Sequence, residues 1–206
     1  MRLPWMTRRD CRAWQSANTV ADLGQLTARW LEGDIKTMIG YVPNTPPDDE
    51  TAAIAPTLAA ANRAGFLTDC SQPGLDGTGH DGARWQQRAA VTGFIADPDL
   101  LERIRYAAAD AGLIVVIHHP GDPEGWCIPG YAVVTLRAGT AYTAFGERAD
   151  LDSLNDSWSG ISPVACLAVA AAAQVTLADP LFGRNDLLWP LLDDLTRPAI
   201  RTQTGA

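Results

Sequence analysis

Two short runs hold the side chains best suited to engage a ligand: Thr68-Asp69-Cys70-Ser71-Gln72-Pro73-Gly74 and, beyond a glycine-rich stretch, Gln86-Gln87-Arg88. A serine hydroxyl and backbone N–H groups ahead of a Pro-Gly bend can hold a polar group. Arg88 can neutralise a carboxylate or phosphate, and Gln72 and Gln87 can read polar edges. The plainer reading is a turn capped by Ser71, with Arg88 holding the loop closed. Cys70 is the one candidate nucleophile. A thiolate needs a lowered pKa and a histidine within reach, and only His80, in the same loop, is near in sequence. A lone cysteine at a strand end is more often a small core residue.

His118-His119 forms the second candidate pair. Neighbours on a strand point to opposite faces, so the two do not chelate one metal. One can reach a cleft at a strand's C-terminal end, where ligands gather in α/β sheets; the plainer fate is one histidine packed under a helix and one facing solvent. Asn155 to Trp158 and the Asp179–Arg184 pair read as turn and cover residues. No phosphate loop, dinucleotide fingerprint or zinc motif occurs, so no metal and no cofactor is implied.

The elements that position these residues follow from punctuation and periodicity. Thr19 caps a helix running to Leu31, and Gly33 closes it. A second helix runs from Asp48-Asp49-Glu50 to Arg63, kinked at Pro56. Strands are expected at Gly65–Asp69 and Arg88–Ile95, with a long loop between them. Asp97-Pro98 opens a helix that Gly112 ends. Leu113–Ile117 is a strand, Tyr131–Arg137 and Thr140–Phe145 form a hairpin about Ala138-Gly139, and Ser162-Pro163 opens a helix apolar nearly all round. Gln174–Ala178 is the last strand before a terminal helix. Crossovers and hairpins together predict an α/β (α+β) fold: a mixed sheet of five to six strands with helices packed on it. Residues 1–44 read as an arm plus a helix, 45–197 as the sheet domain and 198–206 as a tail.

Counting strand directions sorts the candidates. If the first two strands pair antiparallel, Ser71, Gln72, Gln87 and Arg88 share one sheet edge. The two histidines then fall at the opposite edge, together with Asp179, Arg184 and the Trp126-Cys127 and Asn155–Trp158 loops. A crossover in place of the hairpin would move Cys70 to the histidines.

Composition narrows the function classes. The 206 residues are 47% hydrophobic, enough for a full core, and the net charge is −8. That balance argues against a nucleic-acid partner, since the basic cluster is only Arg2, Arg8, Arg9 and Arg12. The apolar run Pro163–Ala173 is too short for a bilayer, so no membrane partner is expected. Cys11, Cys70, Cys127 and Cys166 lack disulfide or zinc spacing, and a reduced cytoplasmic setting fits them.

Asp69-Cys70-Ser71 resembles the catalytic run of a group of cysteine cell-wall peptidases. Their cysteine opens a helix, however, which Pro73-Gly74 prevents here. Over most of Thr45 to Leu195 the chain resembles an actinobacterial family known only as a domain of unknown function. The likeness is carried by Arg63-Ala64-Gly65-Phe66-Leu67-Thr68, Ser71-Gln72-Pro73-Gly74, Gln87-Arg88-Ala89-Ala90-Val91-Thr92-Gly93-Phe94, Gln174-Val175-Thr176-Leu177-Ala178-Asp179-Pro180, Gly183-Arg184-Asn185-Asp186 and Trp189-Pro190. The resemblance brings no activity; it directs attention to Ser71-Gln72 and Gln87-Arg88. The reading that follows is a small-molecule-binding domain, enzymatic or not, for an anionic or nucleotide-like ligand. The alternatives are a protein-interaction module using exposed tryptophans and a Cys70-dependent hydrolase or transferase.

Overall fold

A computed structural model of the chain describes residues 7–40, 45–122 and 130–197. Among them the order is α1 (Arg8–Ser16), α2 (Val20–Leu31), α3 (Ala55–Ala64), β1 (Phe66–Gln72), β2 (Leu75–Thr78), β3 (Arg84–Ile95), α4 (Pro98–Asp110), β4 (Ile114–His118), β5 (Ala132–Arg137), β6 (Thr140–Phe145), α5 (Leu151–Ser157), α6 (Pro163–Ala170), β7 (Ala173–Phe182) and α7 (Leu188–Thr196). The Trp126-Cys127 loop and the 198–206 tail lie outside the described residues.

Local chemistry sets the boundaries. At α2 the Thr19 hydroxyl accepts the Asp22 N–H at 3.0 Å, while the Asp22 carboxylate accepts the Thr19 N–H at 3.1 Å. This is a capping box that satisfies N–H groups left open at a helix start. Asp97 caps α4 through the Asp99 N–H at 2.9 Å, with Pro98 as first residue. Pro56 falls in the first turn of α3, where its missing N–H costs nothing, so it starts this helix and does not kink it. Ala138 and Gly139, at φ 50° and 79°, make the two-residue turn between β5 and β6. Two left-handed residues match the right-handed twist of the strands they join. The N-terminal segment forms a helix, α1, because Trp14 is fully buried and its indole N–H donates to the Thr37 carbonyl at 3.2 Å.

The expected α/β class holds, with seven strands instead of five or six, and every pairing is antiparallel. The twelve-residue β3 is the spine. On one flank it pairs with β1 and then β2, which run in the same direction on either side of the Pro73-Gly74 bend. On the other flank β7 pairs with its C-terminal part and β5 with its N-terminal part. The long loop between the first two strands is therefore a hairpin arm turning at Gly79–Ala83, and Ser71, Gln72, Gln87 and Arg88 lie within the ladder and not at a loop mouth.

Helices cover both faces. Phe66, Val91, Ile95, Val175 and Leu177 pack with α3, α4 and α7, whereas Leu67 and Phe94 pack with α1, α2, α5 and α6. Such alternation along β1 and β3 is the two-residue period of a strand buried on both sides. Helix α6, apolar nearly all round, buries only one side: Ala165, Cys166 and Val169 are buried, but Val164 and Leu167 are exposed. No helix among the described residues is long and apolar enough to cross a membrane.

Candidate functional site

Arg88 occupies the seam where β7 ends and β5 begins along β3. Its Nε donates to the Val133 carbonyl at 3.0 Å, and Nη1 donates to the carbonyls of Asp179, at 3.0 Å, and Pro180. The guanidinium also stacks 4.0 Å from the Phe182 ring centre. Gln72 is buried beside it. Its amide donates to the Arg88 and Val134 carbonyls at 3.1 and 3.0 Å and accepts from the Thr135 hydroxyl at 3.2 Å. Both side chains thus satisfy carbonyls that two diverging strands leave open.

Asp179 and Arg184 stand at this same end of the sheet, not with the histidines. Strand β7 inserts between β3 and β4 and runs antiparallel to both, which carries its end back to Arg88. Fully buried Asp179 receives Arg184 Nε on both oxygens, at 2.9 and 2.8 Å, and the Leu181 N–H at 2.8 Å. Next to it Asn185 clamps Gly74: Oδ1 accepts the Gly74 N–H at 2.7 Å and Nδ2 donates to its carbonyl at 2.9 Å.

The concave site lies on the other border of β1, whose ladder partner is β3 alone among the described strands. The register slips between Thr68 and Cys70, leaving Asp69 as the extra residue of a bulge. Bulges bend an edge strand and re-aim its side chains. Gly93 lies across from this point, and a Cβ there would come 2.1 Å from the Leu67 carbonyl oxygen, so only glycine lets the strands approach so closely. Thr68, Asp69, Cys70 and Ser71 line a cavity of about 400 Å³ together with Trp30, Trp158, Met38, Asp48, Thr51 and Ser157.

Burial dominates the electrostatics of that cavity. Asp69 and Cys70 are both exposed to solvent, and both line the cavity, whose walls crowd protein atoms around them. Loss of hydration raises the Asp69 carboxyl above its ordinary range, against a smaller lowering by the Cys70 thiol 3.8 Å away. The thiol itself is pushed up to about 12 by burial first and by the Asp69 charge and hydrogen bond second. A thiol of that kind is a poor nucleophile, since the thiolate is the reactive form.

Residues 9–197 match the family described as Domain of unknown function (DUF6919). The chain belongs to the DUF6919 family. No curated protein matches it.

The remaining candidates of this DUF6919 domain fall elsewhere. His118 is buried, its Nε2 within 2.7 Å of the Gly146 carbonyl and 3.3 Å of the Gly130 carbonyl, and so ties the start of β5 to the end of β6. His119 faces solvent, its N–H bonded to Asp122 at 2.6 Å and its carbonyl to Arg148. Gln87 and His80 line a more open hollow of about 650 Å³ with Trp85 and Glu50. There the Gln87 Oε1 is buried with no hydrogen-bond partner among the described residues. No group of three metal-ligating side chains occurs among the described residues.

Of the residues lining the DUF6919 cavity, the sequence marks Cys70 and Ser71 as candidates, includes Asp69 in the same run without a role, reads Trp158 as a cover residue, and gives Asp48, Thr51 and Trp30 no site role. Asp69 had one visible signal: it is the one ionisable acid in a strand that opens with Phe66 and Leu67, buried on opposite faces. The far walls come from α2 and α5, which no local pattern brings to β1.

Proposed function

We propose that this DUF6919 protein is a small-molecule-binding domain whose ligand occupies the cavity over the β1 bulge. One observation carries the reading: a strand displaced at Asp69 forms, with two tryptophans and several hydroxyls, a concavity of about 400 Å³ around a carboxyl shifted by burial. Ligand sites are concavities of this size, mostly apolar, with a few convergent polar groups. Acids with perturbed pKa values concentrate in such places.

In this reading Ser71 contributes a hydroxyl to the cavity wall, away from Arg88. Arg88 and Gln72 serve beneath it as scaffold, which removes the reason for an anionic or nucleotide-like ligand. A Cys70-dependent mechanism has less support, because burial and the Asp69 charge push the thiol up to about 12 and His80 lines the other hollow. The interaction-module reading leaned on exposed tryptophans, yet Trp14, Trp30, Trp158 and Trp189 are buried and Trp85 half-buried.

A thermal-shift screen of the full chain against a metabolite panel tests the proposal, because a ligand of the native state raises stability. The stabilisation should vanish in Thr51→Phe, which fills the cavity. A ligand that stabilises Thr51→Phe as strongly as the parent would place binding elsewhere and overturn the reading.

A further inference from the structure

Resting on the cavity being the binding site, we infer that its ligand is an organic cation: an amine or ammonium with a short apolar body. Asp48 and Asp69 bring two carboxylates to the cavity, and its described lining holds no lysine, arginine or histidine. Several cations of the packing elements are engaged elsewhere, Lys36 among them, whose ammonium donates to the Gly33 carbonyl at 3.1 Å. Arg63 of α3 pairs with Glu32 and Gln25, and Arg88 of β3 donates to backbone carbonyls.

The Asp69 carboxylate has one hydrogen-bond partner among the described residues, the Cys70 thiol at 3.8 Å. A thiol is a weak donor, while a carboxylate offers about four acceptor positions, so most of the acceptor capacity at Asp69 is open to a ligand. An ammonium can replace hydrating water there with N–H donors and the opposite charge together.

The walls complete the match. Indole rings attract cations through the negative face of the ring, and Trp30 and Trp158 both line the cavity. Met38, Ile39 and Leu58 offer apolar surface for the carbon body. The chain's net charge of −8 raises the local concentration of cations and repels carboxylates and phosphates.

Three probes of matched length, butylammonium, butanol and butyrate, separate the charge from the shape. Each is titrated into the full chain at pH 8, with the indole N–H resonances of Trp30 and Trp158 followed by NMR. Butylammonium should bind at least about tenfold more tightly than the other two. That preference should be lost in Asp69→Asn and weakened in Asp48→Asn, while butanol binding stays unchanged. Butanol or butyrate binding as well as butylammonium would overturn the cation inference and leave the cavity proposal standing. A cation preference that survives in Asp69→Asn would also overturn it. If none of the three probes moves either indole, the inference and the cavity reading both fall.

Discussion

Asn62 holds Thr68 by both ends of its side-chain amide: Nδ2 donates to the Thr68 hydroxyl at 2.6 Å, and Oδ1 accepts the Thr68 N–H at 3.1 Å. The same Nδ2 donates to the Leu58 carbonyl at 2.8 Å. Both residues are buried, so α3 is fastened to β1 at the residue before the bulge. The cavity floor takes its position from that clamp. Asn62→Ala strands a buried N–H and a buried hydroxyl, each worth about 1–3 kcal/mol when left unpaired. Urea denaturation should show a loss of about 2–4 kcal/mol, and hydrogen exchange at Asp69 and Cys70 should speed up before the rest of β1 opens. Exchange that speeds up uniformly along β1 would contradict a local clamp.

Arg88 gives a second prediction, because its role separates scaffold from ligand recognition. Its guanidinium bonds three carbonyls from two strands, and burial lowers its pKa while the Asp179 charge acts the other way. Arg88→Met keeps much of the packing on Phe182 but leaves those carbonyls unpaired. We expect a stability loss of about 2–4 kcal/mol in urea. Affinity for any ligand of the Asp69 cavity should be unchanged at temperatures where the variant is folded. An Arg88→Met protein with wild-type stability and no ligand binding would reverse the assignment.

How much of this was legible beforehand follows from the range over which each signal acts. The Thr19 box, the Asp97-Pro98 cap and the Ala138-Gly139 turn are local chemistry, and each marks its element correctly. Leu75–Thr78 and Arg84–Gln87 escaped notice because their pairing holds no apolar alternation: the arm is mostly exposed or half-exposed. Hidden behind that arm was the true position of Ser71 and Arg88 within the ladder. The direction count placed β1, β3 and β4 correctly, since hairpin and crossover rules govern neighbours in sequence. It failed at β7, whose partners are β3 and β4 from much earlier in the chain, and Asp179 went to the wrong edge with it.

Cys70 furnishes a chemical test. With its thiol pushed up to about 12, its thiolate population near neutral pH is about a thousandfold below that of a thiol at the ordinary 9.0. Alkylation by iodoacetamide, read by mass spectrometry in the folded protein, should be far slower at Cys70 than in the urea-unfolded chain. Its rate should still be climbing above pH 10, where an unperturbed thiol levels off. Cys70→Ser should leave cavity binding within about a factor of two. Rapid alkylation that saturates near pH 8 would show an activated thiol and restore the nucleophile reading.

Asp69 yields a pH dependence of definite sign. Burial raises its native carboxyl above the 3.8 at which it ionises in the unfolded chain. Its contribution to stability is therefore complete below the unfolded value. It is lost as pH rises through the native value, since the unfolded state then sheds a proton that the native state retains. Other carboxylates run the opposite way: hydrogen bonds hold Asp22 and Asp150 low, and the Arg84 guanidinium holds Asp76 low. The Asp69 effect must accordingly be read as a difference between two proteins. Asp69→Asn cannot ionise, so its urea midpoint should match the parent's below pH 4 and exceed it increasingly toward pH 7, at constant m-value. Added butylammonium should then stabilise the parent more than the variant and narrow that gap, because an ion pair offsets the hydration the carboxylate loses against the cavity walls. A parent that is the more stable of the two at pH 7 without any amine present would mean that the carboxylate already has a strong cationic partner, and the cavity could not be an open acceptor site.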